Sequence, residues 1–279
     1  MARPKNPPEN LVIYEVQGVL DPPERFDPGP GFLGFWVEGD YTFIFFEREA
    51  DLELKPLLVE TGLTLRYIHR LKYKEWQDGA GFAPFDVGPL TIVPAWRLPE
   101  KDSFDPSAGR LAIFLDPGLV FGFGGHPTTL ACLKFLVRVW AEDRPAEVLD
   151  LGAGTGILAL AAARLGARRI LAVDSNHLAV ETARANVVLN ALEDKIEVVR
   201  GRAEDRAATP AELVLANLHF QVQEELLLRG GFDRRRWLIL SGLFHRQVEN
   251  LEASLKEKGF RLLDRLRDER WTSLLMRGE

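Results

Sequence analysis

A glycine-rich turn between an apolar run and a helical run constrains the fold of this 279-residue chain most strongly. Val148-Leu149 leads into Asp150-Leu-Gly-Ala-Gly-Thr-Gly156, and the apolar stretch Ile157–Ala161 follows directly. Glycine adopts positive φ angles without strain and lets the backbone approach a ligand closely. The first turn of the helix beyond would carry free backbone N–H groups. The pattern predicts a buried strand, a tight turn and a helix that together cradle a nucleotide-type cofactor.

The charge of Asp150 helps to choose between two kinds of cofactor. Dinucleotide folds place a pyrophosphate on this turn, and a carboxylate just before the first glycine would repel it. The carboxylate would suit S-adenosylmethionine, which carries an ammonium and a sulfonium but no phosphate. The spacing Gly154-x-Gly156-x-x-Ala159 also fits the relaxed dinucleotide pattern, so a nicotinamide oxidoreductase stays open here. We take Asp150, Gly152, Gly154 and Gly156 as candidate cofactor-binding residues.

The bulk composition excludes several classes of protein. A net charge of −6 does not suit a generic nucleic-acid binder, which would present a basic face. A single cysteine, Cys132, excludes a disulfide framework, and five histidines without ligand spacing predict no metal site. The first residues lack an apolar signal core, and no run approaches the length of a membrane span. We therefore expect a cytoplasmic protein without a membrane partner.

The chain divides by composition into three parts. Residues 1–70 predict a small α+β domain, because strand-like runs at 32–37 and 41–46 flank the hairpin signal Glu38-Gly-Asp40. A further strand is predicted over 11–16 and a short helix over 52–61. Residues 71–110 are rich in Gly, Pro and Trp, which predicts a linker, although Leu90–Trp96 is a strand candidate.

Residues 111–279 alternate strand and helix, which predicts a parallel sheet with helices on both faces. The last two predicted strands, 260–267 and 271–276, are joined by a charged turn and form an antiparallel hairpin. The predicted fold class is α/β, with a Rossmann-like, mostly parallel seven-stranded sheet and an antiparallel C-terminal hairpin. That ending is typical of methyltransferase sheets and not of dinucleotide dehydrogenases.

Two predicted strands end in residues that suit a nucleoside. Asp174 ends the second strand, eighteen residues after Gly156, where an acid accepts hydrogen bonds from both ribose hydroxyls. The alternative for Asp174 is the N-cap of the next helix. Ala203 and Glu204 follow the third strand and could meet the adenine amino group, although a solvated loop acid is the alternative for Glu204.

Asn217 follows the fourth predicted strand and is the candidate catalytic residue, as well as a cofactor contact. Ligands of open α/β sheets lie beyond the carboxyl ends of the strands. The side-chain carbonyl of Asn217 can accept a hydrogen bond from an amine and so orient the nitrogen lone pair. The alternative is an Asx-turn that stabilises the loop. Leu218, the next residue, is a candidate substrate contact.

The segment 116–129 predicts a loop that folds over the cofactor and then starts a helix. Glycines followed by Pro127 and two threonines mark the helix start. Thr129 is predicted to touch the methionine portion of the cofactor, and Phe123 and His126 to face the substrate. His126 is either a positioned loop residue or a general base. Methyl transfer from a sulfonium is an in-line displacement, so the protein mainly has to align the reactants.

Several motifs together resemble the ribosomal protein L11 methyltransferase family, PrmA. They are Leu115-Asp-Pro-Gly-Leu-Val-Phe-Gly through His126-Pro-Thr-Thr129, Val148 to Ala159, Ala172-Val-Asp174, Ala216-Asn-Leu218 and Leu240-Ser-Gly-Leu243. The resemblance implies a class I methyltransferase with S-adenosylmethionine as cofactor and a small N-terminal substrate-recognition domain on a mobile linker. It also implies cofactor contacts at Thr129, Gly152, Asp174 and Asn217. The implied reaction is methylation of lysine and N-terminal amines of one ribosomal protein.

One departure from the family pattern keeps alternatives open. The usual Phe-Gly-Thr-Gly reads Phe121-Gly122-Phe123-Gly124, so an aromatic ring replaces a hydroxyl. A methyltransferase of the same fold could act on another protein lysine, such as one in the electron-transfer flavoprotein β subunit, or on a small amine. A non-catalytic cofactor-binding module is the alternative from another class.

Overall fold

A computed structural model describes residues 8–20, 27–38, 40–73, 82–97, 109–120, 122 and 124–279. The chain forms two compact units, one that comprises Met1–Gly81 with Asn176–Leu178 and a larger one that comprises Phe82–Ser175 and Ala179–Glu279. In the ranges just given, no helix combines the length and the apolar character needed to cross a membrane.

The smaller unit is a four-stranded antiparallel sheet in the order β2-β3-β1-β4 with one helix. Its elements are β1 (Asn10–Gln17), β2 (Phe32–Glu38), β3 (Tyr41–Phe46), α1 (Asp51–Thr61) and β4 (Thr64–Lys72). Strands β2 and β3 pair as the predicted hairpin, with Glu38 opposite Tyr41. Helix α1 buries Leu54 and Leu57 in a core shared with Tyr14 and Phe46. The sequence predicts all of these elements except β4.

The larger unit is built on a seven-stranded sheet in the order β10-β9-β8-β11-β12-β14-β13. Its strands are β8 (Glu147–Leu151), β9 (Arg169–Asp174), β10 (Ile196–Arg200), β11 (Leu213–Asn217), β12 (Trp237–Phe244), β13 (Phe260–Arg267) and β14 (Trp271–Gly278). The strands from β10 to β12 are parallel, and β14 runs antiparallel to both of its neighbours. The predicted sheet and its C-terminal hairpin are confirmed.

Helices cover both faces of this sheet. They are α2 (Pro127–Glu142), α3 (Ile157–Leu165), α4 (His177–Leu189), α5 (Phe220–Leu228) and α6 (His245–Glu257). Alternate residues of β11 enter opposite cores: Leu213 and Leu215 pack on the side of α2 and α3, and Val214 and Ala216 pack on the side of α5 and α6. The apolar runs of the parallel strands follow from this double burial.

A separate three-stranded sheet contains part of the predicted linker. Strands β5 (Phe85–Val87) and β6 (Leu90–Pro94) precede β7 (Leu111–Leu115), and β6 runs parallel to β7. Leu90 and Ile92 are fully buried in the core that holds α2 and α3. This burial ties residues 85–94 to the larger unit, and the predicted linker over residues 71–110 stays a prediction.

Candidate active site

The glycine-rich turn between β8 and α3 has the left-handed backbone that the sequence predicts. The φ angles are +75° at Gly152, +54° at Gly154 and +81° at Gly156, which acts as the N-cap of α3. A Cβ atom on Gly152 would collide with Leu218 Cδ2, in the loop after β11. The turn and the Asn217-Leu218 loop are therefore in close contact at the carboxyl edge of the sheet.

Four backbone N–H groups of the turn donate hydrogen bonds within the protein. Those of Gly152 and Ala153 donate to the Val173 carbonyl oxygen at 2.8 and 3.0 Å. That of Gly154 donates to Asp174 Oδ2 at 2.9 Å, and that of Gly156 donates to the Ala153 carbonyl oxygen at 2.8 Å. A pyrophosphate on the turn needs these donors free. The geometry favours a cofactor without phosphate.

The start of α3 differs from the sequence-based expectation of free N–H groups. Ile157 N–H lies 3.4 Å from Thr155 Oγ1, and Ala159 N–H donates to Asp150 Oδ2 at 3.1 Å. The expectation was wrong for these two donors, because a hydroxyl and a buried carboxylate accept their hydrogen bonds.

Asp150 lies beneath the turn with only 1% of its surface exposed. Its Oδ1 atom has no hydrogen-bond partner among the described residues. Burial raises the pKa of Asp150 to about 7; the hydrogen bond from Ala159 opposes the rise, and the charge of Asp174 adds to it. Asp150 thus accepts a hydrogen bond from the first turn of α3, and its predicted contact with a cofactor stays a prediction.

The raised pKa of Asp150 predicts that stability falls as pH rises. In the unfolded chain an aspartate titrates near pH 3.9, so the folded state binds more protons between about pH 4 and 7. Below about pH 4 the protonated carboxyl makes its full contribution to the free energy of unfolding. We expect this contribution, a few kcal/mol, to be lost as pH rises through 7. Asp150→Asn should flatten this slope in urea unfolding measured from pH 5 to 8. The exposed Asp194→Asn is the matched control, and an unchanged slope in Asp150→Asn would contradict the assignment.

Asp174 ends β9 beside the turn, as predicted, and its Oδ2 receives the Gly154 N–H. The neighbouring helix α4 is capped by another residue, because Asn176 Oδ1 accepts from Leu178 N–H at 2.9 Å. The N-cap alternative for Asp174 is therefore not what the structure shows.

Ala203 and Glu204 begin a short 3-10 helix after β10, at the same edge of the sheet. Ala203 is buried. Glu204 pairs with Arg202 at 2.8 Å. Burial alone would raise the pKa of Glu204, but the hydrogen bond and charge of Arg202 lower it below its usual value. Glu204 is thus an ion-paired acid and not a free one. Its contact with an adenine amino group stays a prediction.

Asn217 lies at the end of β11, and its side chain reaches the start of α2. Its Nδ2 donates to Thr128 Oγ1 at 3.3 Å. His126 is the N-cap of α2, and its Nδ1 accepts from Thr128 N–H at 3.3 Å and lies 2.7 Å from Thr128 Oγ1. This geometry favours His126 as a positioned residue over a general base. The structure brings His126 and Asn217 together through one threonine.

Thr129 has 1% of its surface exposed, and its Oγ1 lacks a hydrogen-bond partner within the described ranges. A buried hydroxyl without a partner costs about 1–3 kcal/mol. A polar atom of a bound cofactor that forms a hydrogen bond with Oγ1 would remove this cost. The unpaired hydroxyl is therefore consistent with the predicted cofactor contact at Thr129. Phe123, the predicted substrate contact in the same loop, lies outside the described residues.

An aromatic pair beside this group was missed from the sequence. Phe244 stacks on Trp271 with ring centroids 4.6 Å apart, and Trp271 lies 5.8 Å from the His126 ring. Phe244 is 40% exposed. The two residues are adjacent only because β12 and β14 pair there, with Phe244 opposite Trp271. No local sequence pattern predicts how β12 and β14 are aligned.

Two buried asparagines, Asn186 in α4 and Asn190 directly after it, were also missed. Asn186 Nδ2 donates to the carbonyl oxygens of Asp116 and Thr155 at 2.8 and 2.9 Å, and its Oδ1 accepts from Asp116 N–H at 2.8 Å. Asn190, one turn later, exchanges two hydrogen bonds with the backbone of Phe114. Helix α4 therefore fixes both the glycine-rich turn and the segment that leads to α2. The available signal was the pair of amides at i and i+4, one near the end of the helix and one directly after it.

We expect Asn186→Ala to lower the free energy of unfolding by about 3 kcal/mol, because it leaves a buried carbonyl of Thr155 and part-buried backbone groups of Asp116 without these partners. Urea unfolding measures the loss, and hydrogen exchange should show less protection at Asp116. The control is Val188→Ala on the same helix, where the side chain is 44% exposed. Equal losses in the two variants would show that the amide contacts contribute nothing specific.

Comparison with known proteins gives a consistent result. The model of the family described as ribosomal protein L11 methyltransferase (PrmA) matches residues 49–279. The protein of that name from Anoxybacillus flavithermus is 35% identical over 271 residues, which cover 94% of this chain and 81% of that one. The one from Desulforamulus reducens is 34% identical over 249 residues, which cover 83% and 77%.

A crystal structure titled as ribosomal protein L11 methylase from Lactobacillus delbrueckii subsp. bulgaricus is also similar. The TM-score is 0.59 at 30% identity, and the match covers 71% of this chain and all of that one. In the part of the chain that the structure describes, no group of three or more His, Cys, Asp or Glu side chains could hold a metal ion.

Proposed function

The chain belongs to the ribosomal protein L11 methyltransferase family, PrmA, and we propose that it transfers methyl groups from S-adenosylmethionine to lysine and N-terminal amines of ribosomal protein L11. The protein is thus a methyltransferase with a class I fold. We place its action in the cytoplasm, where its proposed substrate is made.

The single observation that carries the choice of cofactor is the internal use of the turn's N–H groups. Gly152, Ala153 and Gly154 donate to Val173 and Asp174, so the turn does not offer a phosphate site. Asp174 would accept the ribose hydroxyls, Ala203 and Glu204 would flank the adenine, and Thr129 would meet the methionine portion. When bound, S-adenosylmethionine supplies the electrophilic methyl group.

The residues of this chain would align the acceptor amine. Amines attack only when deprotonated, and the reference pKa is about 10.4 for lysine and 7.7–8.0 for an α-amine. The side-chain carbonyl of Asn217 would accept a hydrogen bond from the amine and direct its lone pair along the line of displacement. Leu218, which lies against Gly152, would stand between the turn and the acceptor.

The partly exposed aromatic pair supports an alkylamine as acceptor. Asn217 contacts Thr128, and Thr128 contacts His126. The His126 ring in turn lies beside Trp271, which stacks on Phe244. Aromatic faces bind ammonium groups and the methylene stems that carry them. A lysine side chain that crosses this pair would reach the end of β11.

The test is methylation of purified ribosomal protein L11 by the purified full chain with methyl-labelled S-adenosylmethionine. An extract of a source strain that lacks the gene serves as a second acceptor pool. Label in L11, mapped by mass spectrometry to amines, supports the proposal. Label only in another protein of the extract would retain the chemistry and reject the substrate. Cofactor binding without any transfer would favour the non-catalytic alternative that Phe123 motivates.

A further inference from the structure

The orientation of the Asn217 amide decides whether its carbonyl or its NH2 group faces the acceptor. The two ends of an amide have nearly the same shape, so hydrogen-bond partners determine which end points where. In this protein the partners are Thr128 and, beyond it, His126.

The backbone of Thr128 fixes the protonation of His126. Thr128 N–H lies 3.3 Å from His126 Nδ1, and a backbone N–H can only donate. Nδ1 must therefore carry a lone pair, and the proton of the neutral ring is on Nε2.

The hydroxyl of Thr128 then has one possible role. Its Oγ1 lies 2.7 Å from the same Nδ1, so it donates its single proton to that lone pair, which also receives the longer contact from the Thr128 N–H. Towards Asn217, at 3.3 Å, Oγ1 can only accept. Thr128 is 2% exposed, so bulk water does not offer its hydroxyl another partner.

We propose that His126 and Thr128 are positioning residues that hold the Asn217 carbonyl towards the acceptor amine. The hydrogen bonds run in one direction from Asn217 Nδ2 to Thr128 Oγ1 and from Thr128 to His126 Nδ1. Within the described residues, Asn217 Oδ1 receives no hydrogen bond and stays available. The inference rests on the proposed function and adds to it the means by which Asn217 is oriented.

The kinetic test uses near-isosteric variants in the full chain with ribosomal protein L11 as acceptor. Thr128→Val replaces the hydroxyl with a methyl group. We expect kcat to fall 10- to 100-fold with the Kd for S-adenosylmethionine unchanged, because nothing then selects one orientation of the Asn217 amide. Thr128→Ser should recover most of the loss. His126→Ala should also lower kcat, and His126→Asn should recover it, because asparagine supplies an acceptor at an N-cap.

The same substitutions in an Asn217→Ala background separate positioning from structure. If Thr128 acts through Asn217, Thr128→Val should have little further effect on kcat once Asn217 is alanine. A loss of equal size in both backgrounds, or an unchanged kcat in Thr128→Val, would overturn the relay. If Thr128→Val fails to fold, the serine variant and the two His126 variants decide by the same criteria.

Nuclear magnetic resonance tests the relay without turnover. Long-range 1H–15N correlations of His126 should show an unprotonated Nδ1 and a protonated Nε2. The side-chain NH2 of Asn217 should exchange slowly in the wild type and faster in Thr128→Val. A proton on Nδ1 would overturn the relay even in an active enzyme. Wild-type protein that fails to methylate L11 but shows these signals would count against the substrate and not against the relay.

Discussion

Replacing Asn217 with alanine is expected to lower kcat for amine methylation about 100-fold and to change the Kd for S-adenosylmethionine less than threefold. The side chain ends β11 and is held by Thr128 on one side, which leaves its carbonyl for the acceptor. Loss of alignment at a reacting nitrogen costs rates of this order. Single-turnover methylation of L11 measures the chemical step, and titration calorimetry measures the cofactor affinity.

The control for Asn217 is His219→Ala in the same loop. His219 is exposed and makes no side-chain hydrogen bond as the N-cap of α5, so its replacement tests the loop without the amide. We expect His219→Ala to keep kcat within threefold of wild type. An unchanged kcat in Asn217→Ala would remove Asn217 from the mechanism, and a parallel loss of cofactor affinity would make it mainly a cofactor ligand.

The parts of the fold that the sequence predicts are those with local signals. Three glycines at positive φ in Gly152–Gly156 and a continuous apolar strand on one side leave few alternatives to a strand–turn–helix unit. The hairpin β13–β14 follows from two strand-like runs around a charged turn. Strand β4 has no such signal, because Thr64–Lys72 is an edge strand whose residues are mostly exposed on both faces.

The parts of the candidate site that sequence reasoning missed depend on distant pairs. Asn186 is 70 residues from its partner Asp116, and Phe244 meets Trp271 only through strand register. The burial of Asp150 also depends on the fold and could not be predicted from the local sequence. The sequence predicts an ionised carboxylate beside the turn, whereas burial raises the pKa of Asp150 to about 7 and its Oδ2 accepts from the Ala159 N–H of α3.

Replacing Asp174 with alanine is expected to weaken S-adenosylmethionine binding by 1–3 kcal/mol, or about 5- to 150-fold in Kd, through lost hydrogen bonds to a charged acceptor. The carboxylate lies at the end of β9 beside the turn, where ribose hydroxyls would meet it. Titration calorimetry measures the change, and the exposed Asp194→Ala is the matched control.

Asp174 also holds the Gly154 N–H, so a loss of affinity could reflect a loosened turn instead of a lost ribose contact. A 2′-deoxy analogue of the cofactor separates the two causes. If Asp174 binds the ribose, the analogue should bind wild type more weakly than the parent compound, and Asp174→Ala should bind both almost equally. Asp174→Asn keeps an acceptor for the Gly154 N–H, so its Kd for the cofactor should lie between those of wild type and Asp174→Ala. If wild type and Asp174→Ala both bind the analogue more weakly than the cofactor by the same factor, the carboxylate acts only in the turn and not on the ribose.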